Sequence, residues 1–278
     1  MRISRIVLLL FGILTVACQE QTSYQERETA SNPILSSIPL SIDHINLAVA
    51  NLAMWETYFA DSLGFTLKEG RLHPNSIENA FIEFENNTEI ELITVSDSLD
   101  PLSGWYQQYI AEGGGAAFLA LRVEESRWMD TLETRFLNSN VQVKRDDFRY
   151  AELLSLIQGE DMAPLFFIYY KHPNAINAET TTHSNQTKGI TKVFLPVDET
   201  DAPFLAALGW MDSLENFPTR ELTISLTEGE LVFNFEEAGD HKRIQAISVL
   251  TENQDLSTTS LPLDKGFQIH YSSEPIEK

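Results

Sequence analysis

The order of secondary-structure signals over residues 42–95 constrains the fold more than any other feature of the chain. Strand alternation over residues 42–49 places four residues on one face: Ile42, His44, Asn46 and Ala48. Asn51 then caps a helix with an apolar stripe. Segments 81–85 and 89–95 have strand character around a turn-forming Asn-Asn pair. The region is therefore predicted to form a strand, a helix and three further strands.

One histidine and one glutamate occupy the first and last strands of this region. His44 lies on the first strand, and Glu91 shares a face of the last strand with Ile93 and Val95. If the sheet curls, both side chains point into its hollow. An imidazole nitrogen and a carboxylate oxygen suit a divalent first-row metal ion. Two interpretations remain open: a shared functional pocket, or a buried ion pair or hydrogen-bonded pair without a chemical role.

Two motifs, one in this region and one further along the chain, make the sequence resemble the vicinal oxygen chelate superfamily. The resemblance is greatest to its glyoxalase-like branch. The first motif is Gly70-Arg71-Leu72-His73-Pro74, followed by Asn79 and by the strand Glu89-Ile90-Glu91-Leu92-Ile93. The second, over residues 163–173, resembles the Pro-Phe-Phe-Ile strand of that branch with His-Pro after it. The resemblance extends roughly over residues 42–250. It implies an α+β fold, in which βαβββ modules of the glyoxalase/bleomycin-resistance/dioxygenase type form a cupped mixed sheet.

The resemblance also implies where a metal would bind. In the superfamily, the first and last strands of paired modules supply the ligands, which gives His44 and Glu91 in the first module. The corresponding positions of the second module are predicted to be Phe118 and Tyr169, so the ligand set is incomplete. The implied cofactor is one divalent ion, Mn, Fe, Ni or Zn. Glu91 is also the candidate catalytic base.

The hollow of the sheet can serve as a small-molecule site even without a metal. Six residues are predicted to line it or lie at its rim: Asn46, His73, Asn79, Phe118, Arg122 and Tyr169. Aromatic walls with a few polar groups are typical of such sites. For Phe118, Arg122 and Tyr169, the alternative is core packing or solvation at the rim.

The amino terminus is predicted to be a targeting segment. Arg2 and Arg5 precede the apolar residues 6–17, whose helix would span only about 18 Å of a hydrocarbon core roughly 30 Å thick. Cys18, the only cysteine, follows Ala17, which resembles a bacterial lipoprotein cleavage box. We therefore expect lipid attachment at Cys18 and a place in the bacterial cell envelope. The alternative is ordinary signal cleavage and a soluble periplasmic protein.

The rest of the chain is predicted to repeat the first module. The predicted divisions, in chain order, are a signal peptide with lipobox (1–18), a flexible tether (19–40), module 1 (41–96), a connector with module 2 (97–173), a linker (174–189), and a degenerate third module with a C-terminal strand (190–278). With Cys18 assigned to the lipid anchor, the folded part offers no thiolate for metal binding or catalysis.

Charge and motifs narrow the function. A formal net charge of −22 with no basic stripe makes nucleic acid an improbable partner. The best-supported function is binding of a small molecule in the cupped pocket. The alternative is a metal-dependent lyase/isomerase or dioxygenase acting on a substrate with vicinal oxygens. A scaffold that binds proteins is a third hypothesis, and a homodimer that completes the ligand set remains open.

Overall fold

The computed structural model describes most of the chain after the tether. The described residues are 38–158, 161–172, 176–211, 221–235, 244–263 and 266–273. The predicted signal peptide with Cys18, nearly all of the tether, Pro173 of the second motif and parts of 190–278 lie outside them. In these ranges, no helix is long and apolar enough to cross a membrane.

The first module has the predicted order of elements. These are β1 (Leu40–Ala48), α1 (Leu52–Thr57) with a π-helical turn (Tyr58–Ser62), β2 (Lys68–Leu72), β3 (Ile77–Glu83) and β4 (Glu89–Val95). The side chain of Asn51 caps α1 by accepting the amide N–H of Met54. Trp55 and Phe59 on the buried side of this helix pack into the core, which fixes α1 against one face of the sheet.

The connector between the modules contains a helix that the sequence analysis did not predict. This helix, α2, spans Pro101–Ala111. Asp100 and Ser103 form a reciprocal capping box, and Pro101 occupies the first turn, where its missing N–H costs nothing. After the helix, Gly114 has a φ of +63°, and a Cβ there would lie 2.5 Å from the carbonyl oxygen of Ala48. The turn into the second module therefore requires glycine at this position.

The second module repeats the first. Its elements are β5 (Gly115–Val123), α3 (Ser126–Asn138), β6 (Gln142–Asp147), β7 (Ala151–Gln158) and β8 (Asp161–Tyr170). Both modules belong to one eight-stranded sheet with the order β2-β3-β4-β1-β5-β8-β7-β6. Strand β1 is parallel to β4, and β5 is parallel to β8, while β1 and β5 pair antiparallel at the centre. The curved, mixed sheet confirms the predicted fold class.

A second sheet follows. Its elements are α4 (Ala178–Thr181), β9 (Thr187–Val197), a 3₁₀ turn (Glu199–Asp201), α5 (Ala202–Ala207), β10 (Glu221–Ser225), β11 (Glu230–Phe235), β12 (Ala246–Thr251), β13 (Thr259–Ser260) and β14 (Gln268–Ser272). The six strands have the order β10-β11-β9-β12-β14-β13, with β9 parallel to β11, β12 parallel to β14, and β9 antiparallel to β12. This pairing repeats that of the first sheet. In the second sheet, β9 and β11 pair as β1 and β4 do, and they belong to the predicted third module. Strands β12 and β14 pair as β5 and β8 do, and they occupy the positions of a fourth module.

The two sheets share one hydrophobic core. Ile45 and Leu92 of the first sheet belong to the same buried cluster as Val193, Phe233 and Ile247 of the second. The opposite, concave face of the first sheet carries a separate small cluster, to which α2 contributes Tyr106 and Tyr109. The candidate site lies on this concave side.

A turn of the second sheet holds the beginning of β1. The amide of Thr227 donates to the carbonyl of Leu40 at 2.8 Å, and the amide of Ile42 donates to the carbonyl of Glu228 at 3.3 Å. Gly229 has a φ of +91°, and a Cβ on it would lie 2.5 Å from Cδ1 of Ile42. Close approach of this turn to β1 therefore depends on glycine.

Candidate functional site

A β-bulge at Asp43 decides which side chains of β1 reach the concave face. Ile42 pairs with Leu121 and His44 with Ala120, so Asp43 is the extra residue between two consecutive pairs. Ile42 is fully buried in the main core, while Asp43 turns towards His44. The predicted alternation is therefore wrong at Ile42 and Asp43, because one inserted residue breaks the period of two.

Asp43 holds His44 from one side. Its Oδ1 lies 2.6 Å from Nδ1 of His44 and accepts the hydroxyl hydrogen of Tyr170 at 2.9 Å. Its Oδ2 lies 3.6 Å from Nη1 of Arg122. Asp43 is only 3% exposed and His44 only 8%. The imidazole is consequently fixed in position by a buried carboxylate that has partners of its own.

Glu91 faces the other nitrogen of the imidazole. Nε2 of His44 lies 3.7 Å from Oε2 of Glu91, so the structure brings together the two residues that the sequence analysis paired. The Nδ2 of Asn46 donates to Oε2 of Glu91 at 2.5 Å, and the Nδ2 of Asn79 donates to Oε1 at 2.7 Å. Both carboxylate oxygens therefore have an amide donor. Asn46 and Asn79, predicted as ligand contacts, position Glu91.

His73 lies beside this group without joining it. Its Nε2 is 3.5 Å from Nδ2 of Asn79, whose Oδ1 accepts the amide N–H of Arg71. Burial and the charge of Arg71 lower the pKa of His73. The ring lies at the edge of the Glu91 group, at the rim where it was predicted.

His44 is protonated at neutral pH. Burial alone would lower its pKa, but the hydrogen bond and charge of Asp43, with the charges of Glu91 and Glu89, raise the pKa to about 9. Asp43, His44 and Glu91 therefore form a buried row of alternating charge.

The second module has phenylalanine at both positions that correspond to His44 and Glu91. The N-caps of α1 and α3, Asn51 and Glu125, are 74 positions apart, and the same interval leads from His44 to Phe118. In the first module Asn46 pairs with Glu91, and the equivalent pair in the second is Ala120 with Phe166. The last-strand counterpart of Glu91 is thus Phe166.

Tyr169, which the sequence analysis assigned to that position, lies elsewhere. It is three residues beyond Phe166, an odd number, so its side chain faces the opposite side of the strand and packs against the main core. Its neighbour Tyr170 is the tyrosine that reaches Asp43. The error arose because the apolar run 165–170 has no alternation from which the inward face can be identified.

Aromatic side chains of α2 cover part of the concave face. Trp105 stacks on Tyr109 at 4.8 Å between ring centroids and lies 4.6 Å from Phe118. Tyr106 packs edge-on to Phe118, and burial together with the charge of Glu91 raises its pKa well above the usual range. Phe118 is 2% exposed, so its side chain is core. The predicted hollow is filled at this end.

A cleft of ≈ 500 Å³ opens at the other end, where β1 and β4 begin and β5 and β8 end. Its lining includes Asp43, Glu89, Arg122, Tyr169 and Tyr170. Asp43 therefore contacts both the cleft and the buried imidazole. Two of the predicted pocket residues, Arg122 and Tyr169, lie here instead of beside Glu91.

Arg122 is held by several oxygens. Besides Asp43, its guanidinium lies 3.4 Å from Oε1 of Glu124 and 3.6 Å from Oε2 of Glu228, and it donates to the carbonyl of Asn87 at 3.2 Å. Its charge is thereby offset within the protein. The turn that carries Glu228 connects the second sheet to the wall of the cleft.

Glu89 is the acidic residue of the cleft whose side chain has no hydrogen bond or ion pair with any other residue in the described part of the chain. It pairs with His44 across β1 and β4, two positions before Glu91. Burial raises its pKa, the charges of His44 and Lys68 oppose that effect, and those of Asp43 and Glu83 add to it, so that the pKa is about 7.

These donors do not fit the single divalent ion that the resemblance implies. Phe118 and Phe166 have no donor atom, and each oxygen of Glu91 already accepts a hydrogen from an asparagine amide. Within the described ranges, no group of three or more His, Cys, Asp and Glu side chains could hold a metal ion. His270 lies outside this group, since it contacts Thr258 and Phe194 on the second sheet.

Several residues of the site were missed by sequence reasoning, namely Asp43, Glu89, Tyr106, Phe166 and Tyr170. A bulge has no reliable sequence signal, so Asp43 was assigned to the other face. Glu89 could have been found, because it precedes Glu91 by two positions and shares its face. Tyr106 could have been identified as a site residue only if helix α2 had been predicted.

The two paired modules and the concave site define a protein of the vicinal oxygen chelate fold. A family model described as a glyoxalase-like domain matches residues 42–209. The chain belongs to this glyoxalase-like domain family. No curated protein matches its sequence significantly.

Solved structures similar to the chain include the following three, of which the first supports the fold. A hypothetical protein from Staphylococcus aureus is 15% identical with a TM-score of 0.59, covering 84% of this chain and 99% of its own. A hypothetical protein from Bacillus halodurans is 20% identical with a TM-score of 0.38, covering 50% of this chain and 99% of its own. Methylmalonyl-CoA epimerase from Mycobacterium tuberculosis is 17% identical with a TM-score of 0.40, covering 50% of this chain and 94% of its own.

Proposed function

We propose that this glyoxalase-like protein binds a small molecule on the concave side of its first sheet without a metal ion. The observation that carries the proposal is the chemistry at the four implied ligand positions. Two are phenylalanines, and the other two are a histidine in contact with Asp43 and a glutamate whose oxygens both accept amide hydrogens. Charges that satisfy one another in this way form a rigid wall for a ligand.

The open cleft supports the same proposal. Its volume of ≈ 500 Å³ lies within the range of about 300–1,000 Å³ that ligand sites occupy. Its lining includes the aromatic residues Tyr169 and Tyr170 and the charged residues Asp43 and Arg122, and the hydroxyl of Tyr170 donates to Asp43. A mostly preformed wall with few oriented polar groups suits binding, because little side-chain entropy is lost on association.

Metal titration of the purified chain tests the proposal. We expect no stoichiometric binding of Mn, Fe, Ni or Zn in isothermal titration, and no change after His44→Ala. One ion per chain that is lost in His44→Ala, and kept in the control His172→Ala, would favour the alternative function instead. That alternative is a metal-dependent lyase/isomerase or dioxygenase, with missing ligands supplied by a second copy of the chain.

We further propose that the protein is anchored in the bacterial envelope through a lipid on Cys18. The proposal is supported by Arg2 and Arg5, the apolar residues 6–17 and the position of Cys18 after Ala17. Metabolic labelling with a radioactive fatty acid should mark the full chain but not Cys18→Ser. An unlabelled wild-type protein in the soluble periplasmic fraction would contradict the anchor and leave ordinary secretion.

A further inference from the structure

We propose that the cleft between the ends of β1, β4, β5 and β8 binds a small organic cation, with Glu89 as the carboxylate that pairs with it. This inference rests on the proposed binding function and names the class of ligand. The ligand's ammonium group would lie next to Glu89, with the hydroxyl side of Tyr170 and the carboxylate of Asp43 close by.

The charge of the cleft favours a cation. Five acidic residues line it, against two basic ones: Asp43, Glu83, Glu89, Glu124 and Glu228 against Arg122 and Lys171. An anion would therefore enter against a net negative field, while a cation is attracted. The strongly negative charge of the whole chain acts in the same direction.

The two basic residues are already engaged. Arg122 is surrounded by Asp43, Glu124 and Glu228, as described above. The Nζ of Lys171 contacts Oδ1 of Asp147 and donates to the carbonyl of Phe148 at 2.8 Å. Neither cation is available to an anionic ligand without breaking an existing ion pair.

Glu89 differs from the other carboxylates of the lining. Asp43 is bound to His44 and Tyr170, and Glu83 to Lys68 and to the hydroxyl of Thr180. Glu89, in contrast, has no such partner among the described residues. A largely buried carboxyl group without a partner is costly, so a ligand that supplies a hydrogen-bond donor and a positive charge relieves that cost.

Aromatic and apolar groups of the lining suit the rest of such a ligand. The lining includes Tyr169 and Tyr170 of β8, the buried Phe84 and the exposed Ile176. Ring faces attract cations, and the apolar groups accept a ring or short chain attached to the ammonium group. The cleft therefore matches an aromatic or aliphatic amine of modest size.

Three probes of nearly equal shape but different charge test the inference: benzylamine, benzyl alcohol and benzoate. Each is titrated into the full chain at pH 8 and followed by NMR. We expect benzylamine to bind best and to shift signals of Tyr170. Glu89→Gln should weaken benzylamine at least tenfold, while Glu69→Gln, an exposed change of equal charge on β2, should have no effect.

The probe series remains informative even if Glu89→Gln fails to fold, since it uses the unmodified chain. Benzyl alcohol or benzoate binding as tightly as benzylamine would overturn the cationic preference and leave the proposed function standing. Benzylamine binding that is unchanged in folded Glu89→Gln would remove Glu89 from the site. No binding by any probe would also reject the inference, whereas the metal titration tests the proposed function separately.

Discussion

Phe166 lies edge-on to His44, with ring centroids 5.5 Å apart and ring planes at 66°. Phe166 occupies, in the second module, the strand position that Glu91 occupies in the first. A T-shaped arrangement is one of the preferred geometries of neighbouring aromatic rings. The concave face is therefore asymmetric: one module supplies charge and the other supplies hydrocarbon.

Restoring ligands in the second module should create a metal site. Phe118→His combined with Phe166→Glu adds the two donors that the module lacks, since a stable site needs at least three protein ligands. Isothermal titration with Zn or Ni should then give binding at least tenfold tighter than the wild type. Phe118→Leu with Phe166→Leu, which alters packing without adding donors, should bind no better than the wild type. Equal metal affinities in both double variants would contradict the assignment of Phe118 and Phe166 as the counterparts of His44 and Glu91.

The amide of Asn79 should contribute measurably to stability. Asn79→Ala leaves Oε1 of Glu91 without its 2.7 Å donor in a largely buried setting. We expect the free energy of unfolding to fall by about 1–3 kcal/mol in urea denaturation. Gln107→Ala, on the exposed side of α2, should change it by less than about 0.5 kcal/mol. Similar values for both variants would mean that Glu91 does not depend on the amide.

The stability of the protein should fall as the solution becomes alkaline. The folded pKa of His44 is about 9, above its ordinary value of 6.5, so the stabilisation is complete below pH 6.5 and lost as pH rises through 9. The loss should be on the order of 3 kcal/mol for such a shift. Denaturation curves between pH 6 and 10 measure it. His44→Gln should remove this dependence and His172→Gln should keep it, and a wild-type curve that stays flat above pH 7 would be inconsistent with an imidazolium.

Asp43 should be the main cause of the raised pKa of His44. In Asp43→Asn the hydrogen bond loses its charge and burial dominates, so the pKa should fall from about 9 to near or below 6.5. Titration of the imidazole signals by NMR measures the change directly. Asp97→Asn, an exposed acid remote from the ring, serves as the matched substitution and should leave the titration unchanged. A pKa that stays near 9 without Asp43 would shift the assignment to Glu91 and Glu89.

The sequence predicted the fold class and the central pair because both depend on local signals. Cap residues, apolar stripes and turn pairs identify each module, and the motifs around His73 and Glu91 identify the family. His44 and Glu91 lie on strands that pair directly with one another, so their shared face followed from alternation within each strand.

The structural features that the sequence did not reveal are mainly those that interrupt the regular alternation of side chains along a strand. One bulge inserts Asp43 into β1. A second bulge inserts Ala117 into β5, because Asn46 pairs with Phe118 and Leu47 with Ala116. Neither insertion has a signature in the amino-acid composition. Tyr169 was assigned to the wrong face because a strand buried on both sides shows no alternation. Helix α2 had a readable start in Asp100 and Pro101, but the glycine-rich sequence around it obscured that signal.

The turn at residues 227–229 makes the amino-terminal sheet dependent on the carboxyl-terminal half of the chain. It supplies the backbone partners of Leu40 and Ile42, immediately before the bulge. A truncation that ends before β10 would leave those groups unpaired and would free the strand from which Asp43 and His44 project. A fragment that contains both amino-terminal modules but lacks this turn is therefore expected to lose the row formed by Asp43, His44 and Glu91. Deletion mapping would then assign the site to the carboxyl-terminal half, which contributes none of these three side chains.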